Sequence, residues 1–94
     1  MKDERFSEIA RAVADGTRFE ILSRIARAGE LACADLVQDL AITPATISHH
    51  VKELSDAGLV DGRKEGKFHF YRVNSAVWSD YLKELSRRVP SEEA

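Results

Sequence analysis

Two adjacent imidazoles, three hydroxyls and a proline crowd into TPATISHHVK, residues 43–52. Side chains of these types can ligate a metal, move protons, or donate and accept at base edges and phosphates. Spacing decides among these. Helical metal pairs use i, i+4 spacing, whereas His49 and His50, as neighbours, diverge by about 100°. The closed ligand set of a structural zinc is missing, so no metal site and no cofactor are expected. A glycine-rich phosphate loop and a nucleophile–base pattern are missing too, and the chain is not read as an enzyme.

The same residues suit nucleic acid better. With Ile47, Val51 and Leu54 on the buried face of a helix, Ala45, His49, Lys52 and Asp56 point outward and Thr46 and Ser48 lie on the flanks. His50 falls about 60° from the buried centre and reads as a semi-buried hydrogen-bonding residue. Small outward residues let a helix approach a groove closely, hydroxyls and an imidazole can meet bases, and Lys52 offers a charge to phosphate. The helix N-terminus adds partial positive charge. Asp56 opposes contact at the far end, so the N-terminal half is the part expected to enter the groove. A merely solvated helix face is the competing reading.

Such a helix needs a frame. Thr43 is a good N-cap, Pro44 fits the first helical position, and Gly58 followed by Leu59 reads as a Schellman-type stop against Leu54. Before it, Phe6, Ile9, Ala10 and Val13 form one apolar stripe within a helix from Asp3 to Ala14. A second helix, capped by Asp15 and closed by Gly29, carries a broad apolar face of Phe19, Leu22, Ile25 and Ala26. A short third helix, about 32–40, carries Leu36, Val37 and Leu40. The tight turn Leu40-Ala41-Ile42 makes a helix-turn-helix over about 32–57. After Gly58 the period changes to that of a β-hairpin, about 59–73, turning near Glu65-Gly66. Phe68 and Phe70 share one of its faces, Lys67, His69, Tyr71 and Val73 the other, and both hold aromatics, so the inward face stays open. A last helix, about 75–89, bears Trp78, Tyr81, Leu82, Leu85 and Val89 and ends at Pro90, with a frayed tail after it. The expected order is α-α-α-α-β-β-α, a mainly α chain with a β-hairpin wing and a single domain over 1–94.

The chain has 94 residues, too few for more than one domain, and its 44% hydrophobic and 32% charged composition is that of a globular protein. No apolar run is long enough for a membrane span, the N-terminus MKDERFSE lacks a signal region, and one cysteine fits a reducing cytoplasm. A net charge of −2 lacks the basic signature of many nucleic-acid binders. The basic residues Arg63, Lys64, Lys67 and Arg72 nevertheless gather in the hairpin, and a local patch can serve DNA.

The segments ADGTRFEIL (14–22), ELACADL (30–36), TPATISHHVKELSDAGLV (43–60) and GRKEGKFHFYRVN (62–74) resemble the ArsR/SmtB family of bacterial transcription repressors. The resemblance implies a homodimeric winged helix-turn-helix whose fourth helix reads operator DNA and whose wing contacts the backbone or minor groove. Carried over, DNA contact falls on Thr43, Pro44, Ala45, Thr46, Ser48, His49, His50 and Lys52, and on Arg63, Lys64 and Lys67 of the wing, with Arg72 at its base as a structural residue. The dimer would form through the first and last helices, by Phe6, Ile9, Val13, Trp78, Tyr81, Leu82 and Leu85. These apolar residues exceed what one small core needs, and two-fold association is the commonest assembly; covering the chain's own core is the alternative. The double-stranded DNA partner would be an imperfect inverted repeat.

The family's metal-sensing motifs do not carry over. Where the arsenic and cadmium type has two thiols, this chain has Ala32 and Ala34 with Cys33 between them, and no histidine lies along the last helix. Cys33 remains a candidate redox thiol near a helix N-terminus, opposed by Glu30 and Asp35 and without a resolving cysteine. A free cysteine is most often simply a small buried hydrophobe. A winged-helix module for protein–protein contact, without its own operator, is the other alternative, favoured by the acidic balance.

Overall fold

The computed structural model describes residues 1–92. Five helices and three short strands follow the expected order with one addition: α1 (Asp3–Ala14), α2 (Gly16–Ala28), β1 (Leu31–Ala32), α3 (Cys33–Leu40), α4 (Pro44–Asp56), β2 (Val60–Glu65), β3 (Phe68–Val73) and α5 (Ser75–Arg88). The frayed tail expected after Pro90 lies partly outside the described residues.

Local chemistry sets most boundaries. The Asp15 side chain accepts from the Arg18 N–H at 2.8 Å and starts α2. Gly29, at φ +82°, ends it. The Asp35 carboxylate accepts from the Ala32 N–H at 3.3 Å, fixing the start of α3 one residue later than expected. Thr43 caps α4 by accepting from the Thr46 N–H at 3.2 Å, with Pro44 at the first helical position. At the other end of α4, Gly58 N–H bonds Ser55 O and Leu59 N–H bonds Leu54 O, both at 2.9 Å, with Gly58 at φ +81°. That is the full Schellman pattern. Asn74 caps α5 by accepting from Val77 N–H.

The core joins one face of every helix. Ile9 of α1, Ile21 and Ile25 of α2, Leu36 of α3, Ile47 and Leu54 of α4, then Leu59 and Val60, are completely or almost completely buried. The three residues expected on the inner face of α4 are all buried, so the outward direction of its other residues follows.

The addition is β1. Its two residues pair antiparallel with β3, Leu31 opposite Tyr71 and Ala32 opposite Phe70, so the strand order is β1-β3-β2. β2 and β3 form the wing, with Val60 opposite Val73 at the base and Glu65 opposite Phe68 near the tip. The face left open by the sequence resolves here. Tyr71 is buried and Val73 packs against the core, while Phe68 stays 50% exposed.

Candidate nucleic-acid interface

The cap at Thr43 and the stop at Gly58 hold α4 in register, and its inner stripe clamps it to the core. What remains outward is a polar edge. Thr43, Pro44, Ala45, Thr46, Ser48, His49 and Lys52 are all exposed, as are Arg63, Lys64 and Lys67 of the wing. His50 is half-buried and its ring lies 5.8 Å from that of His49. Its Nδ1 is buried and has no hydrogen-bond partner among the described residues. The Arg18 N–H bond, more than any other contact, holds the Asp15 carboxyl below its usual range, with a smaller electrostatic contribution from His50.

The cations of this face fall into two kinds. Lys52 Nζ pairs with Asp56 Oδ2 at 2.8 Å, one turn on, and that bond raises the ammonium's pKa. Arg63 is held by the Glu30 carboxylate just before β1, reaches Glu65 Oε1 at 3.3 Å, and lies 4.7 Å from the centre of the Phe70 ring. The Arg63 guanidinium in turn holds the Glu30 carboxyl below its usual range. Arg72 stands at 3.9 Å from the same carboxylate, at the wing's base. Lys64 and Lys67, by contrast, form no ion pair among the described residues; Lys67 Nζ sits 5.6 Å over the Phe68 ring. Sequence reasoning found the cations but not their partners, because Glu30 and Arg63 are far apart in the chain.

Cys33, at the first turn of α3, is half-buried. Burial, and secondarily the neighbouring Cys33 thiol, push the Tyr71 phenol up to about 12, so Tyr71 stays protonated. Among the described residues no three His, Cys, Asp or Glu side chains converge to hold a metal ion.

The residues expected at a dimer interface divide in two. Ile9 is 0% and Tyr81 4% exposed within the single chain, where both pack in its own core. Phe6, Val13 and Trp78 are half-buried, with Phe6 and Trp78 rings 5.2 and 5.8 Å from Tyr81. Leu82 and Leu85 remain 46% and 37% exposed, and Phe19 on α2, not among the expected set, is 47% exposed.

A short helix, a tight turn, a second helix with an outward polar edge, and a basic hairpin together define a winged helix-turn-helix. A family model described as a helix-turn-helix domain matches residues 13–63. An arsenical resistance operon repressor of Staphylococcus aureus is 36% identical over 86 residues, 92% of this chain and 82% of the relative. Among solved structures, an ArsR-like transcriptional regulator from Rhodococcus is 27% identical with a TM-score of 0.79, covering 89% of this chain and 78% of the other. The homodimeric winged helix-turn-helix DNA-binding domain of a Mycobacterium bovis protein shares the fold at 24% identity and a TM-score of 0.75, over 100% of this chain and 94% of the other. The chain belongs to the ArsR/SmtB family of helix-turn-helix transcriptional repressors.

Proposed function

We propose that two copies of this chain form a DNA-binding repressor that reads an imperfect inverted repeat, with the N-terminal half of α4 in the major groove and the wing on the adjoining backbone and minor groove. The observation that carries this reading is the exposed edge of α4. Thr46, Ser48 and His49 offer donors and acceptors, and Ala45 is small enough to admit a base edge. Lys64 and Lys67 supply wing charges that no carboxylate among the described residues neutralises.

The exposed Leu82 and Leu85 on α5 support self-association, together with the half-buried Phe6 and Trp78 beside them. No helix among the described residues is long and apolar enough to cross a membrane. The proposed place of work is the cytoplasm, where DNA and a reduced Cys33 are both found.

Selection from a pool of random-sequence duplexes tests this. The expected product is an inverted repeat with half-site centres about one turn, or ~10 bp, apart. An enriched site without two-fold symmetry would refute the dimeric reading, and a pool that stays random would refute sequence-specific binding. His49→Ala is expected to relax selection at one base position of each half-site.

A further inference from the structure

A pocket of about 200 Å³ opens where α2, the base of the wing and the start of α5 meet. Phe19 and Leu22 of α2, Val73 of β3 and Trp78 of α5 give it apolar walls. Leu22 belongs to the core, whereas Phe19 is 47% exposed and Trp78 half-buried, so two aromatic rings with free surface line the opening. Ser23 and Arg27 of α2 are its polar groups.

Those two polar groups are the second observation. Among the described residues Arg27 forms no ion pair and the Ser23 hydroxyl no hydrogen bond. Other arginines of the same helix are engaged: Arg18 Nη1 donates to Ala12 O at 3.3 Å, and Arg24 Nε pairs with Glu20 Oε1 at 2.9 Å. No carboxylate lines this pocket, whereas the cleft beside Arg11 contains Glu8, Glu53 and Asp56 and the cleft beside Arg5 contains Asp80 and Glu84. The C-terminal end of α2 favours a cation at Arg27 but leaves its donors unfilled.

We propose that this pocket binds a small aromatic carboxylate, with its ring against Phe19 and Trp78 and its carboxylate on Arg27 and Ser23. Size and chemistry both point to this class. A cavity of about 150 Å³ takes benzene, so this one has room for a single ring on a short arm. Aromatic walls favour an offset or edge-on ring. A guanidinium matches a carboxylate bidentately, and a serine hydroxyl can donate to the same group. A second copy of the chain is the competing occupant; apolar cover of that kind would hide the two rings and make no use of the two donors.

The inference goes beyond DNA binding and is read on the protein alone. Trp78 is the chain's one tryptophan, so intrinsic fluorescence reports on the pocket wall itself. The probes are phenylpropionate and phenylpropanol, which share a ring and arm and differ in the charged head. Phenylpropionate is expected to change the emission saturably. Arg27→Gln, an exchange on the exposed face of α2, is expected to weaken phenylpropionate about fivefold, the upper end for an ion pair open to water, and to leave phenylpropanol unchanged. Phe19→Ala is expected to weaken both. The proposal is overturned if phenylpropionate gives no saturable change, or if Arg27→Gln affects the acid and the alcohol alike or neither. It is also overturned if binding fades as protein concentration rises, because a second copy then takes the same face. None of these results bears on the DNA-binding reading.

Discussion

Asp56→Asn is expected to make this protein bind DNA more tightly. Lys52 is the only cation on the exposed edge of α4, and the structure ties it to Asp56 at 2.8 Å, with side chains 70% and 60% exposed. A pair this open to water is weak, and its order along the helix, with the cation before the anion, is the less favourable one. The fold therefore loses little without it. In the proposed complex the carboxylate matters more, because it occupies the one cation that α4 offers to a phosphate. Neutralising it frees one ammonium per recognition helix. Each added phosphate neutralised steepens the dependence of log K on log salt by about 0.9, so two helices give about 1.8. Between about 50 and 200 mM salt that amounts to roughly a twelvefold change in the ratio of variant to parent affinity. Anisotropy over a salt series measures it, with Asp80→Asn on α5 as a control that removes the same charge from another element. Lys52→Ala supplies the cycle: it is expected to cost less in the parent than in the Asp56→Asn background. If Asp56→Asn and Asp80→Asn show the same affinity and slope, Lys52 does not face a phosphate and the placement of α4 is wrong.

Three further outcomes follow from the geometry. Ala41 sits between α3 and α4 at φ +53°, where an L side chain costs about 1–2 kcal/mol, so Ala41→Gly is expected to raise stability by up to about 1 kcal/mol in denaturant titration, after glycine's own entropy cost. The Arg87 guanidinium holds the Glu84 carboxyl down to about 2, with the α-amino group and Arg88 helping. Its folded pKa lies below the unfolded value, so its contribution is complete above the usual carboxylate range and is lost as pH falls toward 2; the stability gap between parent and Glu84→Gln should accordingly be present at pH 6 and close by about pH 2. Cys33 lines the groove between the helix-turn-helix and the wing, so N-ethylmaleimide should weaken DNA binding of the parent and leave Cys33→Ser unaffected; equal loss in both would mean that the reagent acts on a nucleophile other than the chain's single thiol, and no loss in the parent would contradict the placement.

How much of this was written locally can be judged element by element. α4 was legible from end to end, because Thr43, Gly58 and Leu59 act through bonds to residues a few positions away and Pro44 through its own fixed φ. Its outward edge followed from periodicity once the buried stripe was set. β1 was not legible: two residues are too short to alternate, and their partners, Tyr71 and Phe70, come from the far side of the helix-turn-helix. The inward face of the wing was undecidable for the same reason, since only packing against the helices picks out Tyr71. The stripes on α1 and α5 were visible, but a stripe does not say whose core it fills. Ile9 and Tyr81 fill the chain's own, while Leu82 and Leu85 stay open. The Lys52–Asp56 pair could have been read from its i, i+4 spacing, whereas the Glu30–Arg63 pair is purely tertiary.

The central claim is that α4 reads sequence. The most direct measurement is anisotropy of the parent protein on the duplex recovered by random-pool selection, against its scrambled counterpart, across a salt series. The account predicts much tighter binding to the selected duplex, with a steep salt slope on both and the preference kept as salt rises and the phosphate contacts weaken. Equal affinity for the two duplexes at every salt concentration would contradict it, leaving a wing and helix that hold the DNA backbone and read nothing.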